Sequence, residues 1–257
     1  MPEPPARANI LGVGISAINM DQALAILDDW IARRDPHYVC VSTVHGVMEC
    51  QKDPALRRLF NASGLTTPDG MPLVWLSRLQ GFHHVRRVYG PDLMLALCER
   101  SVSSGYRHYF YGGKEGVAEE LKARLEKQFP GLQVVGTYSP PFRPLSPEED
   151  LEVVQRINAA APDIVWVGLS TPKQDIWSAG HAGRLVAPLI IGVGAAFDLH
   201  SGRKKQAPRW MQRAGLEWLF RLIQEPRRLW RRYLIYNPLF IGKVLGQFLG
   251  LRRYTLD

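Results

Sequence analysis

Short unbroken apolar runs recur through residue 198 and alternate with amphipathic stretches. Tyr38–Ser42, Arg107–Tyr111, Leu132–Tyr138, Asp163–Leu169 and Ala187–Val193 are β-branched or aromatic without a polar alternation. That pattern is expected of parallel strands buried on both faces. Asp21–Ala32 places Ala23, Ile26, Leu27 and Trp30 on one helical face, and helices are likewise expected after Thr43, Pro72, Gly90, Gly116 and Ser146. Strands alternating with helices at this spacing predict an α/β fold, a Rossmann-like parallel sheet with helices on both faces. No linker or repeat interrupts residues 9–198, so the expected division is a body over 1–198 and a helical appendage over 199–257.

The polar residues that follow the apolar runs are the candidate chemistry, because open α/β sheets bind ligands beyond the carboxyl ends of their strands. Thr43 and His45 follow the first run, Thr43 doubling as a helix N-cap. Asp69 lies between Pro68 and Gly70 in Thr66-Thr67-Pro68-Asp69-Gly70-Met71-Pro72, as a turn residue or as a lone carboxylate held for chemistry. Asp92 sits in the first turn of a helix, where it suits the dipole and is also a candidate substrate ligand. Gly112 and Gly113 close a strand before a helix, which lets backbone amides approach a phosphate. Lys173 and Gln174 follow Ser170-Thr171-Pro172. Together these exits would supply a carboxylate, amide donors and a cation, the set needed to hold a nucleoside diphosphate and deprotonate a hydroxyl.

Several chemistries are excluded by pattern. There is no GxSxG, no GxxxxGK[ST] and no Asp-x-Asp, so no metal and no cofactor are expected. Gly12-Val13-Gly14-Ile15-Ser16-Ala17 matches a dinucleotide fingerprint on paper, but no helix starts directly after it, and a turn is the expected reading. Cys40, Cys50 and Cys98 are odd in number and widely spaced, which fits a reducing compartment.

Charge singles out the end of the chain. Residues 203–257 hold 13 Lys and Arg against three acids, Glu217, Glu225 and Asp257, whereas the preceding residues hold 19 against 21. Counted as an α-helix from Pro226, Arg227, Arg228, Arg231 and Arg232 fall on one arc, and Leu229, Trp230, Tyr233 and Leu234 on the other. Basic residues opposite aromatic ones suit an anionic membrane surface better than single-stranded nucleic acid, where cations and aromatics share a groove. Gly242, Gly246 and Gly250 would share a further helix face.

TTPDGMP, GPDLM, FYGGKEGVAEEL, VVGTYSPPF, VGLSTPKQD, GVGAAFD and APRWMQRAGLEWLFRLIQEPRRLWRRY occur in this order. In that order they resemble the WecG/TagA/CpsF glycosyltransferases over about residues 9–235. The resemblance implies a bacterial, metal-independent, inverting enzyme that moves a sugar from a UDP-sugar to a polyprenyl-diphosphate-linked sugar for a surface polysaccharide. It implies Asp69 as base, Thr43 as its partner and Gln174 as an active-site residue. Arg221, Arg228 and Arg231 are similar to arginines that reach the diphosphate or the membrane. Thr43-Val44-His45 departs from the commoner Thr-x-Asn, which bears on the donor sugar. UDP-N-acetylmannosamine is the first expectation, a UDP-glucose-type or uronic-acid donor the second. The expected location is cytoplasmic, at the inner face of the cell membrane, and a homo-oligomer is compatible with the sequence.

Overall fold

A computed structural model describes residues 4–256, so the outermost ends of the two expected domains, Met1–Glu3 and Asp257, lie outside the described residues. By compactness the chain divides differently from the reading by composition. One unit joins residues 1–19, 41–89 and 206–257, and the other joins 20–40 and 90–205.

Among the described residues there are eight strands, in chain order β1 (Arg7–Ile10), β2 (Val13–Ser16), β3 (His37–Ser42), β4 (Leu65–Pro68), β5 (Arg107–Gly112), β6 (Gln133–Tyr138), β7 (Ile164–Gly168) and β8 (Leu189–Gly192). β3 to β8 form one sheet in the order β4-β3-β8-β7-β5-β6, the mixed α/β arrangement expected. The second unit holds most of it. β5 pairs in parallel with both β6 and β7, and β8 pairs in parallel with β7 and with the first four residues of β3. One face of these strands, with Tyr109, Tyr111, Val165, Val167 and Ile190, is packed with Val153, Val154 and Ile157 of the helix Pro147–Ala159. Phe110, Trp166 and Ile191 are equally buried on the other face, which is why these runs carry no polar alternation. The helix Pro147–Ala159 starts on the expected capping box: Ser146 accepts from the Glu149 amide and the Glu149 carboxylate accepts from the Ser146 amide. The first helix, Met20–Arg33, buries Ala23, Leu24, Leu27 and Ile31 rather than the expected Ile26 and Trp30.

The first unit corrects the reading of its own beginning. Asn9–Ile15 is two antiparallel strands, β1 and β2, not one. Leu11 (φ 54°) and Gly12 (φ 81°) make the two-residue turn between them, with both residues left-handed as a tight hairpin requires. Gly12 is therefore a turn, and the Asn9 side chain accepts from its amide. The helix Pro54–Ala62 was not expected, although Asp53 caps its Ala55 and Leu56 amides and Pro54 opens it, a legible start signal. Its last carbonyls are taken up by Arg7, which donates to Phe60 and Asn61 and to Ser63 and Gly64 beyond.

The basic C-terminal segment is stitched to this hairpin. Gln247 accepts from the Leu11 amide and donates to the Asn9 carbonyl, and Asn9 donates to the Tyr254 carbonyl. Leu229, Tyr233, Phe240 and Val244 are buried. The expected two-arc helix from Pro226 is not observed. After Pro226–Trp230 the chain passes through a π-helical stretch, Arg231–Ile235, before the helix Tyr236–Phe248. A π turn takes an extra residue, so the arcs counted at 3.6 residues per turn no longer apply. Trp230 and Leu234 end up exposed at 43% and 57%. A side chain at Gly242 or Gly246 would meet nothing within 4 Å, so these glycines serve no close packing among the described residues. No helix of the described residues is long and apolar enough to cross a membrane.

Candidate active site

The exits of β3 and β4 both belong to the first unit. The Asp69 and Gly70 amides donate to the Ser42 carbonyl at 3.0 and 3.3 Å, which brings the TTPDG turn against the end of β3. Thr43 then stands at the N-cap of the helix Val44–Cys50, but its side chain makes no capping bond, so the capping role is filled by backbone conformation alone. The turn around Asp69 is not distorted. Gly70 is extended (φ −77°, ψ 134°), and a Cβ there would be 3.6 Å from the Thr43 Cα, an ordinary contact.

Asp69 is almost wholly buried (8% exposed) and sits in a charged cluster. Arg87 donates to the Asp69 carboxylate at 3.1 Å and to its backbone carbonyl, and the same terminal nitrogen donates to Glu217 at 2.6 Å. The Tyr89 hydroxyl donates to the other Glu217 oxygen at 2.9 Å. Burial pushes the Asp69 carboxyl up from 3.8 to about 6, opposed by Arg87, reinforced by Glu217 and opposed again by Arg221. Burial also raises the Tyr89 hydroxyl, with Glu217 and Asp69 adding to the effect. Arg221 is drawn down by burial but raised overall by Tyr233, Glu217, Tyr89 and Asp69 around it. Arg232 is lowered to about 10, by burial first, and its Nε has no hydrogen-bond partner.

These groups open onto one cavity of about 460 Å³ within the first unit. Its polar end is formed by Thr43, His45, Asp69, Arg87, Tyr89 and Glu217, together with Arg221 and Arg232. His45 also lies 3.7 Å from Glu49 and stacks on Tyr236. A buried carboxylate with a proton affinity near neutrality, beside three guanidinium groups, can take a proton from a hydroxyl while the cations hold an anionic leaving or anchoring group.

A sequence profile of the glycosyl transferase WecG/TagA/CpsF family matches residues 8–254. The chain belongs to that family. As a WecG/TagA/CpsF member it is a sugar-transferring enzyme. It is similar to the N-acetylglucosaminyldiphosphoundecaprenol N-acetyl-beta-D-mannosaminyltransferase of Bacillus spizizenii, with 32% identity over 77% of this chain and 74% of that protein. It is also similar to the protein of the same description from Bacillus subtilis (strain 168), with 30% identity over 81% of this chain and 82% of that protein.

Of the residues this transferase was expected to use, Thr43, His45, Asp69 and Arg221 line the cavity. Arg228 and Arg231 do not. Arg228 is exposed and paired with Glu225, and Arg231 lies over the Trp230 ring. The π-helical stretch instead puts Arg232 on the cavity wall. Asp92, Gly112, Gly113, Lys173 and Gln174 belong to the second unit. There the Gly113 amide donates to the Gly168 carbonyl at 3.0 Å, which corrects the expectation that it serves a phosphate. Gly112 is packed so closely on Gly168 that a Cβ would approach the Gly168 backbone to 2.8 Å, so packing explains this glycine. Gln174 is buried against Gly192 and Gly194, with its side-chain oxygen lacking a hydrogen-bond partner. Lys173 lies over the Phe142 ring. Asp92 carries charge toward His200. Arg87, Tyr89 and Glu217 were not expected as site residues, and Arg232 was expected only as one of the tail arginines that reach the diphosphate or the membrane. Glu217 had a signal, the lone acid in the GLEWLFRL run of a strongly basic segment.

Proposed function

We propose that the chain transfers N-acetylmannosamine from UDP-N-acetylmannosamine to an N-acetylglucosaminyl diphosphate carried on a polyprenol. The observation that carries this reading is the buried Asp69 carboxylate at the polar end of a cavity with three arginines. The descriptions of the two Bacillus relatives supply the donor sugar and the acceptor. In this mechanism the acceptor hydroxyl attacks the anomeric carbon from the face opposite UDP. Its oxygen–carbon bond forms as the carbon–phosphate oxygen bond breaks, with inversion, and Asp69 takes the hydroxyl proton. An affinity of about 6 leaves Asp69 mostly ionised at neutral pH yet close enough to it to accept a proton in the transition state. Thr43 and His45 border the reacting sugars. Arg87 and Arg221 supply the positive charge that other sugar-nucleotide enzymes take from a divalent cation, so transfer proceeds without metal.

A role for Gln174 in binding the donor rests on the family resemblance, and roles for Asp92, Gly112 and Lys173 rest on their positions at a helix start and at strand ends. Exposed Arg227, Arg228 and Arg231, beside exposed Trp230 and Leu234, support attachment to an anionic membrane surface from the cytoplasmic side. The test of the reading is a panel of UDP-sugars against prenyl-diphosphate-linked N-acetylglucosamine, read by product mass. It expects an added N-acetylhexosamine from UDP-N-acetylmannosamine. A product from UDP-glucose or a UDP-uronic acid alone would replace the donor assignment, and no product from any UDP-sugar would remove the reading.

A further inference from the structure

The cavity that holds Asp69 also has an extensive apolar lining. The helix Met71–Leu79 begins two residues after the base and turns Met71, Trp75 and Leu79, spaced four residues apart, into the cavity. The helix Tyr236–Phe248 turns Ile241, Val244 and Leu245 into it. At 1.5 Å per residue the first helix carries this apolar wall about 12 Å away from Met71. The wall is not a closed core. Trp75, Leu79, Ile241 and Leu245 remain 45%, 72%, 58% and 55% exposed, which marks an apolar surface left for something else to cover. At the polar end the buried Arg232 Nε has no partner, and Arg221 stands with it on the cavity wall.

We infer that this half of the cavity is a subsite for the lipid of the acceptor. Arg232, with its unpartnered Nε, holds its diphosphate, and the first isoprene units lie in the apolar groove between the two helices. The inference rests on the acceptor class proposed above and deepens it. A ligand that presents a sugar hydroxyl to Asp69 carries its diphosphate on that same sugar. The anion is therefore held within a sugar's width of the base, and the hydrocarbon begins immediately behind it. Hydrocarbon at that point meets the Trp75–Leu79 and Ile241–Leu245 walls. An ordinary soluble acceptor would leave the same apolar surface in water. The groove thus assigns recognition of the chain's first units to the protein rather than to the membrane.

The test needs no turnover, so it separates this inference from the transferase reading. The full chain, free of membrane, is titrated calorimetrically with inorganic diphosphate and with geranyl, farnesyl and geranylgeranyl diphosphate below their aggregation concentrations. Affinity is expected to rise at least roughly tenfold for an added isoprene unit that reaches the groove, and to level off once it is filled. The heat-capacity change should grow more negative with chain length. Leu79→Ser and Leu245→Ser, both at exposed positions, should flatten the dependence on length. Arg232→Gln should weaken every diphosphate alike and keep that dependence. Equal affinity for inorganic diphosphate and all prenyl diphosphates would overturn the inference. So would an equal loss from Leu249→Ser, which alters an exposed apolar residue outside the groove, because the lipid would then be adhering to the surface at large. Absence of transfer in the product-mass assay, with length-dependent binding retained, would count against the transferase reading and leave the groove standing.

Discussion

Glu217→Gln changes the proton affinity of the base without touching the base. Glu217 and Asp69 share one Arg87 nitrogen at 2.6 and 3.1 Å. Two oxygens so held are at most about 6 Å apart, and at an effective dielectric of about 20 their repulsion is worth at least about 3 kcal/mol, or roughly two pKa units. Arg87 between them screens part of that, so about one unit is the working figure. Removing the Glu217 charge ends the repulsion that raises Asp69 and leaves Arg87 wholly to Asp69. Both effects lower the Asp69 pKa from about 6, while burial, its largest cause, keeps it above the usual carboxylate value. The acidic limb of kcat/KM should therefore move about one unit to lower pH, with the rate on the neutral plateau reduced only a few-fold by a weaker base. The assay is kcat/KM for the acceptor from about pH 4.5 to 9. Loss of one hydrogen bond to Tyr89 is a stability effect and does not move a pH limb. A limb that stays in place, or moves to higher pH, would refute the coupling of Glu217 to Asp69.

Three further outcomes follow from the same geometry. EDTA should leave transfer intact, and activity lost with chelator and restored by Mg²⁺ or Mn²⁺ would contradict the assignment of UDP stabilisation to arginines. Reversing Arg227, Arg228 and Arg231 to Glu removes three exposed cations worth about 1 kcal/mol each at an anionic surface, so vesicle sedimentation should fall at least roughly 100-fold. Unchanged pelleting with anionic vesicles would end the membrane proposal. Asp69→Asn should stabilise the fold increasingly as pH rises. The native carboxyl titrates at about 6 against 3.8 unfolded, so its contribution is full below 3.8 and is lost as pH rises through about 6. That loss is on the order of 3 kcal/mol at neutral pH, and a melting-temperature difference that does not vary with pH would contradict it.

The parallel sheet was legible because strands buried on both faces are apolar at every position, and β5, β7 and β8 have no solvent face to interrupt the run. Asp69 and Thr43 were legible because the fold puts polar residues at the ends of such runs. The hairpin at Leu11–Gly12 was not, since β2 is buried on both faces and the apolar run from Ile10 continues through the turn. Arg87 lies in an irregular stretch, HHVRRVY, with no periodicity to mark it. Arg232 was assigned with its neighbours because 3.6-residue counting carries through a π turn unnoticed. The apolar faces of Met71–Leu79 and Tyr236–Phe248 follow helical spacing and read as ordinary core; only their exposure in the folded chain separates them from it. The charge excess of residues 203–257 was visible, but not that Gln247 and Tyr254 bond to Asn9, which ties this segment into the unit that holds the base.

The central claim is that Asp69 is the base of sugar transfer, and turnover of Asp69→Asn tests it most directly. The substitution keeps the side chain's size and leaves Arg87 its bond to Glu217, so the cavity and the UDP-sugar affinity should be nearly unchanged. Single-turnover transfer from UDP-N-acetylmannosamine to prenyl-diphosphate-linked N-acetylglucosamine should slow by about 10²–10⁴-fold, the usual worth of a positioned base. A rate within about threefold of the unaltered chain, with binding intact, would contradict the account.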